Sequence, residues 1–273
     1  MGFVKKLDFI IFALCLDIGA GTWYNLTNVI SGGNFYMKSF LMMGQSNMAG
    51  RGLVSSVPPI RNPKCSMLRN GRWQPMREPI NVDRPVFFNN PAMDICSGVG
   101  PAASFADSYA NYYDEQVGMI PCAEGGSSLD EWKVDGQLFL HAFYQAKLAM
   151  NISELSGIIW HQGEAECSIE ERATTYKERF LVIMNEFQAR LGVKLPIVVG
   201  EMGEFLARRE KPMPYLDEVN RQLHMLADEN DNVAIASAKG LEDRGDILHF
   251  SAAAAREFGC RYFEAYKTLR EGK

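Results

Sequence analysis

Long hydrophobic runs, basic clusters and paired cysteines are all missing from this chain of 273 residues. The longest apolar run near the start, Phe9 to Leu16, has eight residues, far short of the ~20 that span a bilayer, so no membrane partner is expected. The net charge is −5 and no stretch gathers Lys and Arg. Phosphate binding needs such clusters, and a nucleic-acid partner is therefore not expected. The six cysteines, Cys15, Cys65, Cys96, Cys122, Cys167 and Cys260, are scattered, with no C-x-x-C pair. A zinc knuckle needs close ligand pairs, so no metal is expected. Free buried thiols in a reducing compartment are the plain reading. Internal repeats and low-complexity tracts are also lacking.

What is present suits an ordinary globular enzyme. Hydrophobic residues make up 47% and charged residues 22%, enough apolar material to bury a core without staples. The first 36 residues stand apart. Lys5 and Lys6 precede the apolar run in the manner of a short signal peptide, but Asp8 and Asp17 bracket it. Residues 17–36 show no clean period. Met37 then opens a segment that runs straight into a strand. The working domain is expected to span residues 37–273, with 1–36 an upstream extension or arm. Cytoplasmic localisation is expected, or secretion if residues 1–36 include a signal peptide.

Apolar runs predict strands at Ser39–Met43, Val117–Ala123, Gly157–Trp160, Pro196–Val199 and Val233–Ala236. Helical spacing of apolar residues predicts helices at 101–113, 138–150, 169–191, 215–228 and 251–269. Residues 51–100, rich in Pro, Asn, Gly and Arg, read as long loops with short strands near Ser66–Leu68 and Val86–Phe88. Strands alternating with amphipathic helices imply a parallel sheet covered on both faces. Such sheets bind ligands at the carboxyl ends of their strands. The polar turns that follow the strands are where chemistry is expected.

Ser46 follows the first strand in Gly44-Gln45-Ser46-Asn47-Met48. A serine on a sharp strand-to-helix turn projects its oxygen from the sheet end; alone, it reads more readily as a helix cap. His249, in Asp246-Ile247-Leu248-His249, suits a general base whose second nitrogen is held by Asp246. Alone, it reads more readily as a surface histidine beside an acidic loop. Gly126, through its backbone N–H, and Gln162, through its side-chain amide, are candidate oxyanion donors. Glu164 is an alternative acid for His249, or a brace for its own loop. His161 is a rival base, although strand alternation sends it and Gln162 to opposite sides. His141 and His224 fall in predicted helices and read as structural.

Four segments together resemble one family. Gly44-Gln45-Ser46-Asn47-Met48-Ala49-Gly50, Glu124-Gly125-Gly126-Ser127-Ser128-Leu129-Asp130-Glu131-Trp132, Trp160-His161-Gln162-Gly163-Glu164-Ala165-Glu166 and Asp246-Ile247-Leu248-His249-Phe250-Ser251 are similar, in order, to the four blocks of the SGNH hydrolases. The likeness is to the branch of sialate O-acetylesterases and acetylxylan esterases. It implies a three-layer, flavodoxin-like α/β/α sandwich. It also implies a cofactor-free serine esterase acting on acetylated carbohydrate, with Ser46 as nucleophile and His249 as base. Both Asp246 and Glu164 match acidic positions of the branch; Asp246 is favoured as the acid because its spacing fixes it near His249, with Glu164 the alternative. The oxyanion would be held by the Ser46 and Gly126 amides and by Gln162, which stands where most SGNH hydrolases carry Asn. The loops of residues 51–100 are the expected sugar contacts; Trp73 and Trp132 read equally as stacking platforms for a sugar ring or as core residues. A hydrolase of other small acyl esters or thioesters, and a carbohydrate-binding protein without catalysis, are the rival readings.

Overall fold

The computed structural model describes residues 37–81, 86, 97–210 and 213–272. The expected extension, 1–36, and most of the strand expected near Val86–Phe88 lie outside these residues. Seven strands form one sheet: β1 (Met37–Gly44), β2 (Cys65–Arg69), β3 (Arg72–Pro75), β4 (Val117–Pro121), β5 (Ser153–His161), β6 (Ile197–Gly200) and β7 (Val233–Ala236). Their order is β3-β2-β4-β1-β5-β6-β7, and every pair is parallel except β2–β3. Eight helices accompany them among the described residues: α1 (Ser46–Ala49), α2 (Ala102–Tyr113), α3 (Leu129–Trp132), α4 (Gln137–Ala149), α5 (Glu170–Thr174), α6 (Tyr176–Leu191), α7 (Leu216–Glu229) and α8 (Ala252–Glu271). None is long and apolar enough to cross a membrane.

Strand alternation builds the three layers. Phe40 of β1 sends its ring against Phe105 of α2 and Tyr266 of α8. His161, at the end of β5, faces Phe258 of α8. Its neighbour Trp160 points the other way, onto Phe180 of α6 and Trp132 of α3. The expected sandwich, with helices on both faces of a mainly parallel sheet, is therefore present.

Two expectations need correction. The helix predicted over 169–191 is two helices, broken at Thr175. The hydroxyls of Thr174 and Thr175 accompany the break by donating back to the carbonyls of Glu170 and Glu171, a competition that weakens helix interiors. Gln222 of α7 then receives the freed groups, donating to the Thr174 carbonyl and accepting from the Lys177 N–H. The second correction is β3, expected as loop. It pairs antiparallel with β2 across Asn70-Gly71, where both residues have positive φ. Asn-Gly is a strong hairpin signal because both turn positions need that conformation, and the signal was present in the sequence.

The centre of the sheet positions the chemistry. β1 lies between β4 and β5, and the chain leaves it toward β2 on one side and later returns to β5 on the other. This reversal is the switch point at which open α/β sheets form a crevice. Gly44 makes the close approach possible. Its φ is +130°, and a Cβ there would lie 2.0 Å from the His161 carbonyl oxygen.

Candidate active site

Three of the four segments follow neighbouring strands and are joined by backbone bonds. The Gln45 N–H donates to the His161 carbonyl at 2.8 Å, and the Glu124 N–H donates to the Gly44 carbonyl at 3.0 Å. The fourth arrives on the loop between β7 and α8. That loop is held by the Arg244 N–H donating to the His249 carbonyl at 2.8 Å. The Asp243 carboxylate accepts from the N–H groups of Gly245 and Ile247 at 2.6 and 3.0 Å. Ile247 takes φ +54°, a costly conformation for a β-branched residue that persists only when its surroundings over-determine it.

These constraints bring Ser46, His249 and Asp246 into a chain. His249 Nδ1 lies 2.7 Å from Asp246 Oδ2, and His249 Nε2 lies 3.0 Å from Ser46 Oγ. With the Nδ1 proton given to Asp246, Nε2 is left to accept from the serine hydroxyl. Asp246 Oδ1 meanwhile accepts the N–H groups of Leu248 and His249 at 3.0 and 2.8 Å. Burial pushes the Asp246 carboxyl up, but the bonds and charge of His249 outweigh it and bring the pKa to about 2. Burial lowers the His249 pKa below its ordinary value; Asp246 opposes the shift and the charge of Arg51 adds to it. His249 is thus biased toward the neutral form that a base requires.

The amides of Ser46 and Gly126 donate to no other group among the described residues. Gly126 is exposed, has φ +77°, and nothing would lie within 4 Å of a Cβ there. Its N–H belongs to a turn that is open beside the serine segment. Gln162 is fully buried. Its Nε2 donates to Glu166 Oε2, and at 3.3 Å each to Gln45 Oε1 and the Ser127 carbonyl. Glu166 is also fully buried. Burial raises its carboxyl to about 7 against the bonds from Leu129 and Gln162.

Other candidates are placed elsewhere. Glu164, the alternative acid, makes no hydrogen bond to His249 in the structure; Oε1 accepts from Asn47 at 2.5 Å and lies 3.2 Å from His161 Nε2. It braces the loop, while Asp246 holds His249. Burial pushes its carboxyl up, but His161 and Asn47 prevail and hold it below the usual range. His161, the rival base, is buried between Glu164 and the Tyr262 hydroxyl, on the opposite side of β5 from Gln162 as strand alternation requires. Trp132 is fully buried, with Nε1 donating to Ser127 Oγ at 3.0 Å. Trp73 lies over Gly118, where a Cβ would come within 2.4 Å of its ring. Of the two readings of these rings, sugar platform or core, the structure gives core for Trp132 and a half-buried packing place against Gly118 for Trp73. His224 pairs with Glu201 at the surface, and His141 is half-buried on α4. Much of the loop expected to contact sugar lies outside the described residues. Among the described residues, no group of His, Cys, Asp and Glu is arranged to hold a metal ion.

Sequence reasoning missed three residues that hold the site. Asn47 ties the serine segment to the histidine loop, donating to the Leu248 carbonyl at 3.1 Å and accepting the Phe250 N–H at 3.1 Å. Arg244 donates to Asp246 Oδ2 at 2.8 Å and to the Arg51 carbonyl at 2.7 Å. Arg51, nearly buried, donates to the Gly50 carbonyl and lies against Gly125, where a Cβ would meet its guanidinium at 2.5 Å. Asn47 bonds a carbonyl 201 positions away, a reach that no local spacing signals.

Comparison with known proteins points the same way. The family model for carbohydrate esterases, sialic acid-specific acetylesterase, matches residues 36–268. A probable carbohydrate esterase of Arabidopsis thaliana is 28% identical over 247 residues, covering 83% of this chain and 89% of that protein. Its crystal structure superposes with a TM-score of 0.75 at 25% identity, over 85% of this chain and 98% of that one. NanS shares the fold at TM-score 0.69 and 17% identity, over 87% of this chain and 99% of its own. A carbohydrate acetylesterase from Xanthomonas citri shares it at 0.61 and 18%, over 86% of this chain and 57% of its own.

Proposed function

The chain belongs to the carbohydrate esterase family of sialic acid-specific acetylesterases, and from that membership we propose that it removes acetyl groups from sugar hydroxyls through an acyl-enzyme on Ser46. The observation that carries this reading is the continuous Asp246–His249–Ser46 chain, at 2.7 and 3.0 Å, at the open end of the sheet's central strand. His249 takes the serine proton as Oγ attacks the ester carbonyl. Negative charge develops on the carbonyl oxygen against the amides of Ser46 and Gly126, with Gln162 as side-chain donor. His249 then gives its proton to the departing sugar oxygen. Water, deprotonated by His249, attacks the acetyl carbonyl, and acetate leaves as Ser46 recovers its proton. Asp246 fixes the tautomer throughout and stabilises the transient imidazolium. No metal or organic cofactor enters these steps, because the base, nucleophile and oxyanion donors all come from the chain.

The test is hydrolysis of p-nitrophenyl acetate by wild type, Ser46→Ala and Asp246→Asn side by side. Wild type should turn over, and each variant should fall by several orders of magnitude, roughly 10⁴-fold for the asparagine by the precedent of serine hydrolase triads. Full activity in Ser46→Ala sinks the acyl-enzyme. An inert wild type that still binds acetylated sugar favours a binding protein. Acetylated xylan and O-acetyl sialic acid are the next substrates.

A further inference from the structure

The carboxylate of Glu166 has no place in the reaction just described, yet it is fully buried and its two oxygens reach two of the segments that build the site. Oε1 accepts the N–H of Leu129, at the start of α3, at 2.7 Å. Oε2 accepts from the Gln162 side-chain amide. Three acceptors surround Gln162 Nε2: Glu166, Gln45 Oε1 and the Ser127 carbonyl. An amide nitrogen carries two protons. The ionised carboxylate is the strongest acceptor and takes one in a charge-assisted bond. The other is shared between two contacts of 3.3 Å, the long end of the range for N–H donors. Gln162 Oε1, by contrast, has no partner. The amide is therefore oriented by what grips its nitrogen, and one proton is held only loosely.

We propose that Glu166 is the positioning residue of the oxyanion hole, pinning one N–H of Gln162 so that the other is presented to the oxygen of the reacting ester. This rests on the reading of Gln162 as an oxyanion donor. Glu166 touches no substrate; it acts through Gln162. A carboxylate is suited to the task because it only accepts, so the amide cannot turn its oxygen toward Glu166 without repulsion. A glutamine at 166 could still accept the Leu129 N–H, but its own NH₂ would face Gln162. The Gln162 amide would then gain by flipping, which would direct its oxygen where a proton is needed.

The pinned geometry requires the ionised form, so activity should be present above the Glu166 pKa and lost as pH falls through it, near 7. The charged groups that act on Glu166 are Arg179 and Arg172, both paired with Asp130, which lower its pKa. The adjacent Cys167 and Tyr176 have their own pKa values raised by burial and are uncharged in this range. Glu164 keeps its charge.

The experiment is a double-mutant cycle on the full chain with p-nitrophenyl acetate: Gln162→Ala, Glu166→Gln and the pair. Removing an oxyanion donor costs ~10²–10³-fold in kcat, so Gln162→Ala should lose about that much with little change in KM. Glu166→Gln should lose roughly 10-fold to 10²-fold, also in kcat, and lack the ionisation near 7 in its pH profile. The pair should be no slower than Gln162→Ala, because Glu166 has nothing to position once the amide is gone. If Gln162→Ala is slow and Glu166→Gln is as fast as wild type, or if the two losses multiply, the positioning role is overturned and the Gln162 reading survives. A fully active Gln162→Ala overturns both. Should Glu166→Gln fail to fold, Glu166→Asp supplies the answer. It keeps the charge but shortens the reach, and its loss should also be in kcat and also vanish in the Gln162→Ala background; losses that multiply overturn the role.

Discussion

At the scale of single residues, the site is a set of pKa adjustments made by neighbours the chemistry does not consume. In the proposed reaction His249 must be neutral to act as base, and burial, aided by Arg51, lowers its pKa below the ordinary value. The sign follows directly: activity is present above the folded pKa and falls as pH drops through it. Asp246 stays ionised down to about 2, so it adds nothing to that acid limb at ordinary pH. Removing the Arg51 charge should let the His249 pKa rise. Arg51→Gln is therefore expected to move the His249 ionisation in the kcat/KM profile toward higher pH. A profile that stays put, or moves lower, would show that Arg51 matters here only as a packing group. Glu164 teaches a related lesson. As an acid in the third segment it competes on paper with Asp246, but Asn47 and His161 occupy Oε1. A carboxylate two positions further on, Glu166, given no role from sequence, proves to hold the amide of Gln162.

At the scale of elements, helices were read well where their apolar stripes face the core and poorly where another element intervened. The break at Thr175 depends on Gln222 from α7 accepting and donating in place of helix bonds, and periodicity carries no trace of that partner. The closing helix α8 shows the opposite case. Ser251 caps it by accepting the Ala254 N–H at 3.1 Å, so the cap lies two residues after His249 and defines where the histidine loop must end. Against the sheet, α8 and α2 enclose a cluster in which Phe40, Phe105, Tyr109 and Tyr266 meet edge to face or tilted. Phe105 is fully buried within it. Phe105→Ala should cost about 3–5 kcal/mol in urea unfolding, as large-to-small changes in sealed cores do. A loss under ~1 kcal/mol would mean the cluster collapses around the gap and is not the rigid wall described.

At the scale of the whole molecule, thiol reactivity tests the burial pattern globally. Among the described cysteines, Cys65, Cys122 and Cys167 are buried and Cys260 is exposed. Burial pushes the Cys65 thiol up to about 12 and raises those of Cys122 and Cys167 as well. Reactive thiolate is scarce at such sites. Alkylation of the native protein, mapped by mass spectrometry, should label Cys260 well before these three, and denaturant should abolish the difference. Early labelling of Cys122, which lies just beyond β4 in the sheet's centre, would contradict the packing of that strand.

The sequence by itself determined the layer architecture, the positions of most strands and helices, and the four segments that meet at the site. Hydrophobic period and turn chemistry are local, and local signals are written in adjacent residues. The spacing of Asp246 from His249 already favoured that acid over Glu164, and the structure sets the two 2.7 Å apart. Only the tertiary structure decided that Trp73 packs over Gly118 and Trp132 is buried, and that Asn47, Arg51, Arg244 and Glu166 join the segments of the site. Those assignments turn on contacts between segments far apart in the chain, where a hydrogen bond of about 3 Å goes to whichever partner the fold brings within reach, and spacing along the sequence does not rank the contenders.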